Sequence, residues 1–99
     1  MGGRQMKYKE HTAFMIDFIT SFVNVEIDRY FFDLDYSGYV IEHFPYMEFE
    51  DARLAERFAD TVDRAYERGT ALGLSDEEFR LEISNALDKW LGRKHRNIT

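Results

Sequence analysis

The sequence predicts an all-α fold, a small antiparallel four-helix bundle, on three observations. Apolar residues recur at three- and four-residue spacing through most of the 99 residues, a complete helix-start signature precedes the last such run, and the connections are short, which favours antiparallel neighbours. The length suits one domain with one core, so residues 1–99 are expected to form a single helical unit with 1–6 and 93–99 as flexible ends.

The first helix is expected over about 8–23. There Phe14, Phe18, Ile19 and Phe22, flanked by Met15, make one apolar stripe. Asn24 is a suitable N-cap for a second helix over about 25–35, with Glu26 in its first turn and Ile27, Tyr30, Phe31 and Leu34 on one face; one long helix through Asn24 is the alternative. Ser37-Gly38 should end that helix, and Pro45 biases Phe44 away from helical backbone. Residues 37–49 are therefore expected as an irregular, aromatic-rich connection between helices 2 and 3.

The third helix is expected over about 51–68. Leu54, Phe58, Val62, Ala65 and Tyr66 form its stripe, Ala55 and Ala59 lie beside it, and Gly69 is its stop. For the fourth, over 75–91, Ser75 and Glu78 make a capping box. Phe79, Ile83, Ala86, Leu87, Trp90 and Leu91 then follow at helical spacing, and Gly92 ends the helix. Phe14, Phe18, Phe22, Phe58, Phe79 and Trp90 read as core, not as a ligand box.

Composition narrows function mainly by exclusion. Without cysteine there are no disulfides, thiolate metal sites or Cys nucleophiles. No apolar run approaches the ~20 residues of a membrane span, and Met1-Gly-Gly-Arg-Gln-Met lacks the apolar core of a signal peptide, so a cytoplasmic protein is expected, with no membrane contact. A net charge of −6 argues against direct nucleic-acid binding. His11, His43 and His95 share no ligand spacing, and there is no phosphate loop or nucleophile motif, so neither enzyme, cofactor nor metal is expected.

One stretch resembles a calcium loop. Asp33, Asp35, Ser37, Gly38 and Val40 stand where an EF-hand wants positions 1, 3, 5, 6 and 8. Position 12, which must supply a bidentate carboxylate, is Phe44, and position 9 is Ile41. The cage cannot close, and Asp33 and Asp35 read as a helix end before a turn.

The charge is uneven. From Glu26 to Asp51 there are eight acids (Glu26, Asp28, Asp33, Asp35, Glu42, Glu48, Glu50, Asp51) against Arg29 alone, and eight aromatics lie among them. Three amphipathic helices already supply a core, so some of Tyr36, Tyr39 and Tyr46 should lie at the surface among carboxylates. Rings beside acids suit a basic protein partner, since rings give contact area and acids give steering. The expected contact residues are Asp33, Asp35, Tyr36, Tyr39, Glu42, Tyr46, Glu48, Glu50 and Asp51. A plain solvated acidic face is the alternative.

Phe18-Ile-Thr-Ser-Phe-Val-Asn-Val-Glu-Ile-Asp-Arg-Tyr30, with Leu74-Ser-Asp-Glu-Glu-Phe-Arg80 and Ala86-Leu87 further on, resembles the colicin D-type bacterial immunity proteins. That family has a helix, a short junction, an acidic-aromatic second helix and a closing helix of the form L-x-E-x-x-[LF]-R, with Asp76 here at the Glu position. They span about two thirds of the chain, and Tyr36 to Phe49 has no counterpart. The resemblance implies a cytoplasmic helical inhibitor that covers the basic RNA-binding site of a nuclease toxin. Other expectations compatible with the residues are a phage-type acidic decoy inhibitor and a calcium-responsive or adaptor module.

Overall fold

The structure, a computed structural model, describes residues 7–93 and is an all-α helical bundle. The expectation of flexible ends at 1–6 and 93–99 falls, Arg93 apart, outside the described residues. Helix α1 spans Glu10–Val23, α2 Arg29–Glu50, α3 Ala52–Phe58, α4 Arg64–Leu72 and α5 Asp76–Leu91. A π-helical turn, Ala59–Asp63, joins α3 to α4 as one rod. The shortest molecular dimension, 24 Å, is that of two helix layers of about 10–12 Å each. Helix α1 lies between α2 and α5, and α5 also packs on the π-turn and α4.

The ends of α5 match the sequence signals. Ser75 Oγ accepts from the Glu78 N–H at 3.2 Å, and the Glu78 carboxylate accepts from the Ser75 N–H at 3.1 Å. At the other end Arg93 donates to the Asp88 carbonyl and Gly92, at φ 71°, takes the left-handed position. The same closing pair of bonds ends α4, where Gly73 sits at φ 64°.

Helix α1 ends in this motif too, but with Val25 at φ 64°. Val25 donates to Phe22 O and Glu26 to Ser21 O. Asn24 is therefore the C-cap of α1, not the N-cap of the next helix; that role belongs to Asp28, whose carboxylate accepts from Phe31 N at 3.1 Å. A β-branched residue in the left-handed region is strained by about 1–2 kcal/mol, and glycine removes the strain at some cost in unfolded-chain entropy. Val25 is exposed, so Val25→Gly should stabilise the fold by about 0.5–1 kcal/mol in urea denaturation. A destabilised variant would show that the valine side chain holds a contact of its own.

Two expectations about the middle of the chain are corrected. Residues 37–49 are not an irregular connection: α2 runs 22 residues through Ser37-Gly38 and through Pro45. Gly38 and Pro45 both lie on the solvent side. The Ile41 carbonyl, which Pro45 leaves without its helical donor, sits on a turn whose side chain is exposed and can take water instead. A helix here also removes the calcium-loop alternative. Asp33 and Asp35 are about 200° apart around the axis and cannot wrap one ion. The connection is one extended residue, Asp51 (φ −165°), which also caps α3 by accepting from Leu54 N.

The second correction is the buried face. Ile27 is half-buried, while Tyr30, Phe31 and Leu34 face water. The face of α2 that enters the core carries Phe32, Tyr36, His43 and Met47, with Tyr39, Val40 and Phe44 half-buried beside them. They join Met15, Ile19, Phe22, Phe58, Val62, Phe79, Ile83, Leu87 and Trp90 in one core. Phe14 and Phe18, expected as core, lie at its margin.

The third rod also outlasts its expected stop. Gly69 is inside α4 because a Cβ there would collide with the Phe79 ring, so its lack of a side chain lets α4 and α5 meet. In the π-turn the Thr61 hydroxyl donates to the Arg57 carbonyl, the ladder acceptor four residues back.

Candidate interaction surface

Helix α2 is about 33 Å long at 1.5 Å per residue, and its two sides have different work. Phe31, Leu34, Ile41, Pro45 and Phe49 fall within about 80° of helix surface, opposite the buried stripe. Phe31 is 53% exposed, Leu34 62%, Ile41 76% and Phe49 89%. At about 150–250 Å² per aromatic side chain, Tyr30, Phe31 and Phe49 leave roughly 400 Å² in water. That already reaches the range of the largest patch on a typical monomer, about 300–600 Å², before Leu34 and Ile41 are counted.

Carboxylates flank this ridge, Glu48 on one side and Glu42 and Asp35 on the other. Glu42 and Glu48 are exposed, Asp35 is half-buried, and none of the three has an ion pair or hydrogen bond among the described residues. Arg29, the only base of the helix, is turned away. Its guanidinium stacks 4.0 Å over Phe79 and bonds Asp33, Asp76 and the Leu74 carbonyl.

The other expected contact residues serve the fold. Tyr36 is buried, stacks on Tyr66 at 3.9 Å and donates to Asp63 at 2.8 Å. Burial, then the Asp63 carboxylate, push its phenol far above the ordinary value. Burial and then Asp33 push Tyr66 up to about 12, so both phenols stay protonated donors at neutral pH. Asp33 is held on both oxygens, by Tyr66 and by Arg29. Tyr39 is half-buried, edge-on to Phe14 and Phe18, and Asp51 is the cap already described.

Glu50, also expected at the interface, is a cap supplied from outside its own helix. Helix α1 has no side-chain cap at Lys9; instead the Glu50 carboxylate accepts from His11 N, Thr12 N and Thr12 Oγ1 at 2.7–2.8 Å. Burial acts to raise its pKa, but these three bonds prevail and hold it below the ordinary 4.5. A depressed carboxylate adds stability that is complete above about 4.5 and is lost as pH falls through the lower, folded value. Because Glu50 is half-buried, Glu50→Gln should cost only about 1–2 kcal/mol in urea titrations at pH 6. The difference from the parent should narrow as the pH falls into the acid range; a constant gap would mean the charge is irrelevant.

Of the nine expected contact residues, the outer face of α2 brings together Asp35, Glu42, Tyr46 and Glu48. The sequence reading missed Phe31, Leu34, Ile41 and Phe49 as surface groups. The signal for them was the second apolar stripe that α2 carries when it is read as one helix. No helix among the described residues is long and apolar enough to cross a membrane. Comparison with protein-family models, with curated proteins and with solved structures finds no match to this chain.

Proposed function

We propose that the chain is a small acidic protein inhibitor that acts in the cytoplasm without catalysis. It binds a basic protein partner through the outer face of α2 and blocks that partner's nucleic-acid-binding site, as an immunity protein does for a nuclease toxin. The observation that carries this reading is an exposed apolar ridge flanked by carboxylates that have no ion pair or hydrogen bond among the described residues. The ridge supplies area to desolvate, and the acids supply orientation and rate. A second copy of the chain fits less well, because it would bring together two segments of net charge −7.

The resemblance to colicin D-type immunity proteins supports the same reading, and the phage-type decoy is its variant with a different basic target. The test is inhibition of purified basic nuclease domains, beginning with any encoded beside this gene. A one-to-one complex that abolishes cleavage and forms more slowly as salt rises is expected. A physiological partner with a neutral or acidic contact surface would overturn the proposal.

A further inference from the structure

Where α1 meets the second half of α2, His11 and His43 bring their Nδ1 atoms to 2.8 Å. Their rings are held from both sides: His11 stacks on Tyr46 at 4.5 Å and His43 on Phe14 at 4.2 Å. His43 is 8% exposed and His11 half-buried. A hydrogen bond between two ring nitrogens needs one N–H and one bare lone pair. The contact therefore exists with the pair neutral or carrying one proton beyond neutrality, and it cannot exist with both rings cationic. In that state two N–H groups and two like charges would meet in a largely enclosed place.

We propose that His11 and His43 form an acid-sensitive latch that ties the first turn of α1 to the last turns of α2 and opens when both rings are protonated. The surrounding groups fit this role. Glu50 of α2 accepts the His11 backbone N–H, so its charge lies beside the pair. Tyr39 and Tyr46 of α2 present rings to it. Lys7 and Lys9 of the preceding segment and Asp51 before α3 line the small cleft that Glu50 and Thr12 share. Only one carboxylate is thus bonded to the pair's own backbone, too little to offset two cations in contact. The sign follows from the contact itself: it needs one bare ring nitrogen, so acid removes it from the folded protein and stability falls as pH falls. Tyr46, stacked on His11, stands at the edge of the α2 face, so opening the latch would loosen that end of the face.

The latch can be tested on the isolated protein, whatever its partner. Urea denaturation and amide hydrogen exchange would be compared at pH 7.5 and pH 5.5 for the parent, His43→Asn and His11→Asn. An asparagine amide can accept from the remaining ring at any charge. The parent should lose about two- to tenfold in its folding equilibrium on acidification, the worth of one hydrogen bond. The amides of His11 and Thr12 should lose more protection than those of α5 at the same pH. Both asparagine variants should flatten this dependence. His11→Asn, at the more open position, carries the test if His43→Asn does not fold. Superimposable pH profiles for the parent and a folded variant would overturn the latch, as would protection at His11 and Thr12 that tracks α5.

Discussion

Phe32→Ala should cost about 3–5 kcal/mol, whereas Phe31→Ala, one residue earlier, should stay within about 0.5 kcal/mol. Phe32 is fully buried and central to the aromatic core. It stacks on Phe22 at 4.1 Å and on Phe18 at 5.0 Å, and its ring also meets Tyr36, Tyr66 and Phe79. Apart from Tyr36 of α2 itself, those neighbours come from α1, α4 and α5, so truncation leaves a cavity that no single helix can close by shifting. Among the rings of the described residues Phe31 touches only Tyr30, and it is half exposed. A domain of this size is stable by about 5–15 kcal/mol, so Phe32→Ala removes a large share and should lower Tm by at least about 12 °C. Equal losses in the two variants would mean that α2 is rotated about its axis from the orientation described.

That contrast also shows where the sequence was legible. In α5 every signal agrees: the capping box, the acidic first turn, one apolar stripe and a terminal glycine with a positive φ. In α2 the signals conflict. Aromatic residues occur all round it, so spacing alone allows two buried faces, and the one chosen from Ile27, Tyr30, Phe31 and Leu34 was the outer one. Gly38 and Pro45 are local helix breakers worth about 1 and 3 kcal/mol. They are tolerated because each faces solvent, while Phe32, Tyr36, His43 and Met47 gain burial only if the helix continues. Tertiary packing overrode propensity, and nothing local announced it.

The site was legible in composition but not in role. Composition marks the acids of 26–51 as a group, but four of them, Asp28, Asp33, Glu50 and Asp51, cap or brace helices. Glu50 bonds a turn 38 and 39 residues away in sequence, a partnership visible only once α1 and α2 are placed side by side. Gly69 likewise reads as a stop and serves as a contact, because the ring that fills its space belongs to α5.

Charge and apolar substitutions on α2 should separate the two parts of the proposed docking face. Glu42→Lys with Glu48→Lys reverses two exposed carboxylates that have no partners among the described residues, so the variant should melt within about 2 °C of the parent. Its association with a basic partner should slow by about 10- to 10³-fold at low salt, and the gap should shrink as ionic strength passes about 0.15 M and the screening length falls to about 8 Å. Ile41→Ser with Phe49→Ser removes ridge surface instead. Both side chains are among the most exposed apolar groups of the protein, so the fold should again be indifferent. Here association should hardly change, while dissociation should quicken by about 10- to 100-fold, since desolvated anchors act on the off-rate. Stopped-flow mixing at two salt concentrations reads both constants. Were the charge variant to bind and protect as the parent does, the contact would lie elsewhere, first on the Asp60 and Glu67 side of the third rod. Loss of rate without any gain in dissociation from the apolar pair would make α2 a steering surface only, with the anchors on another helix.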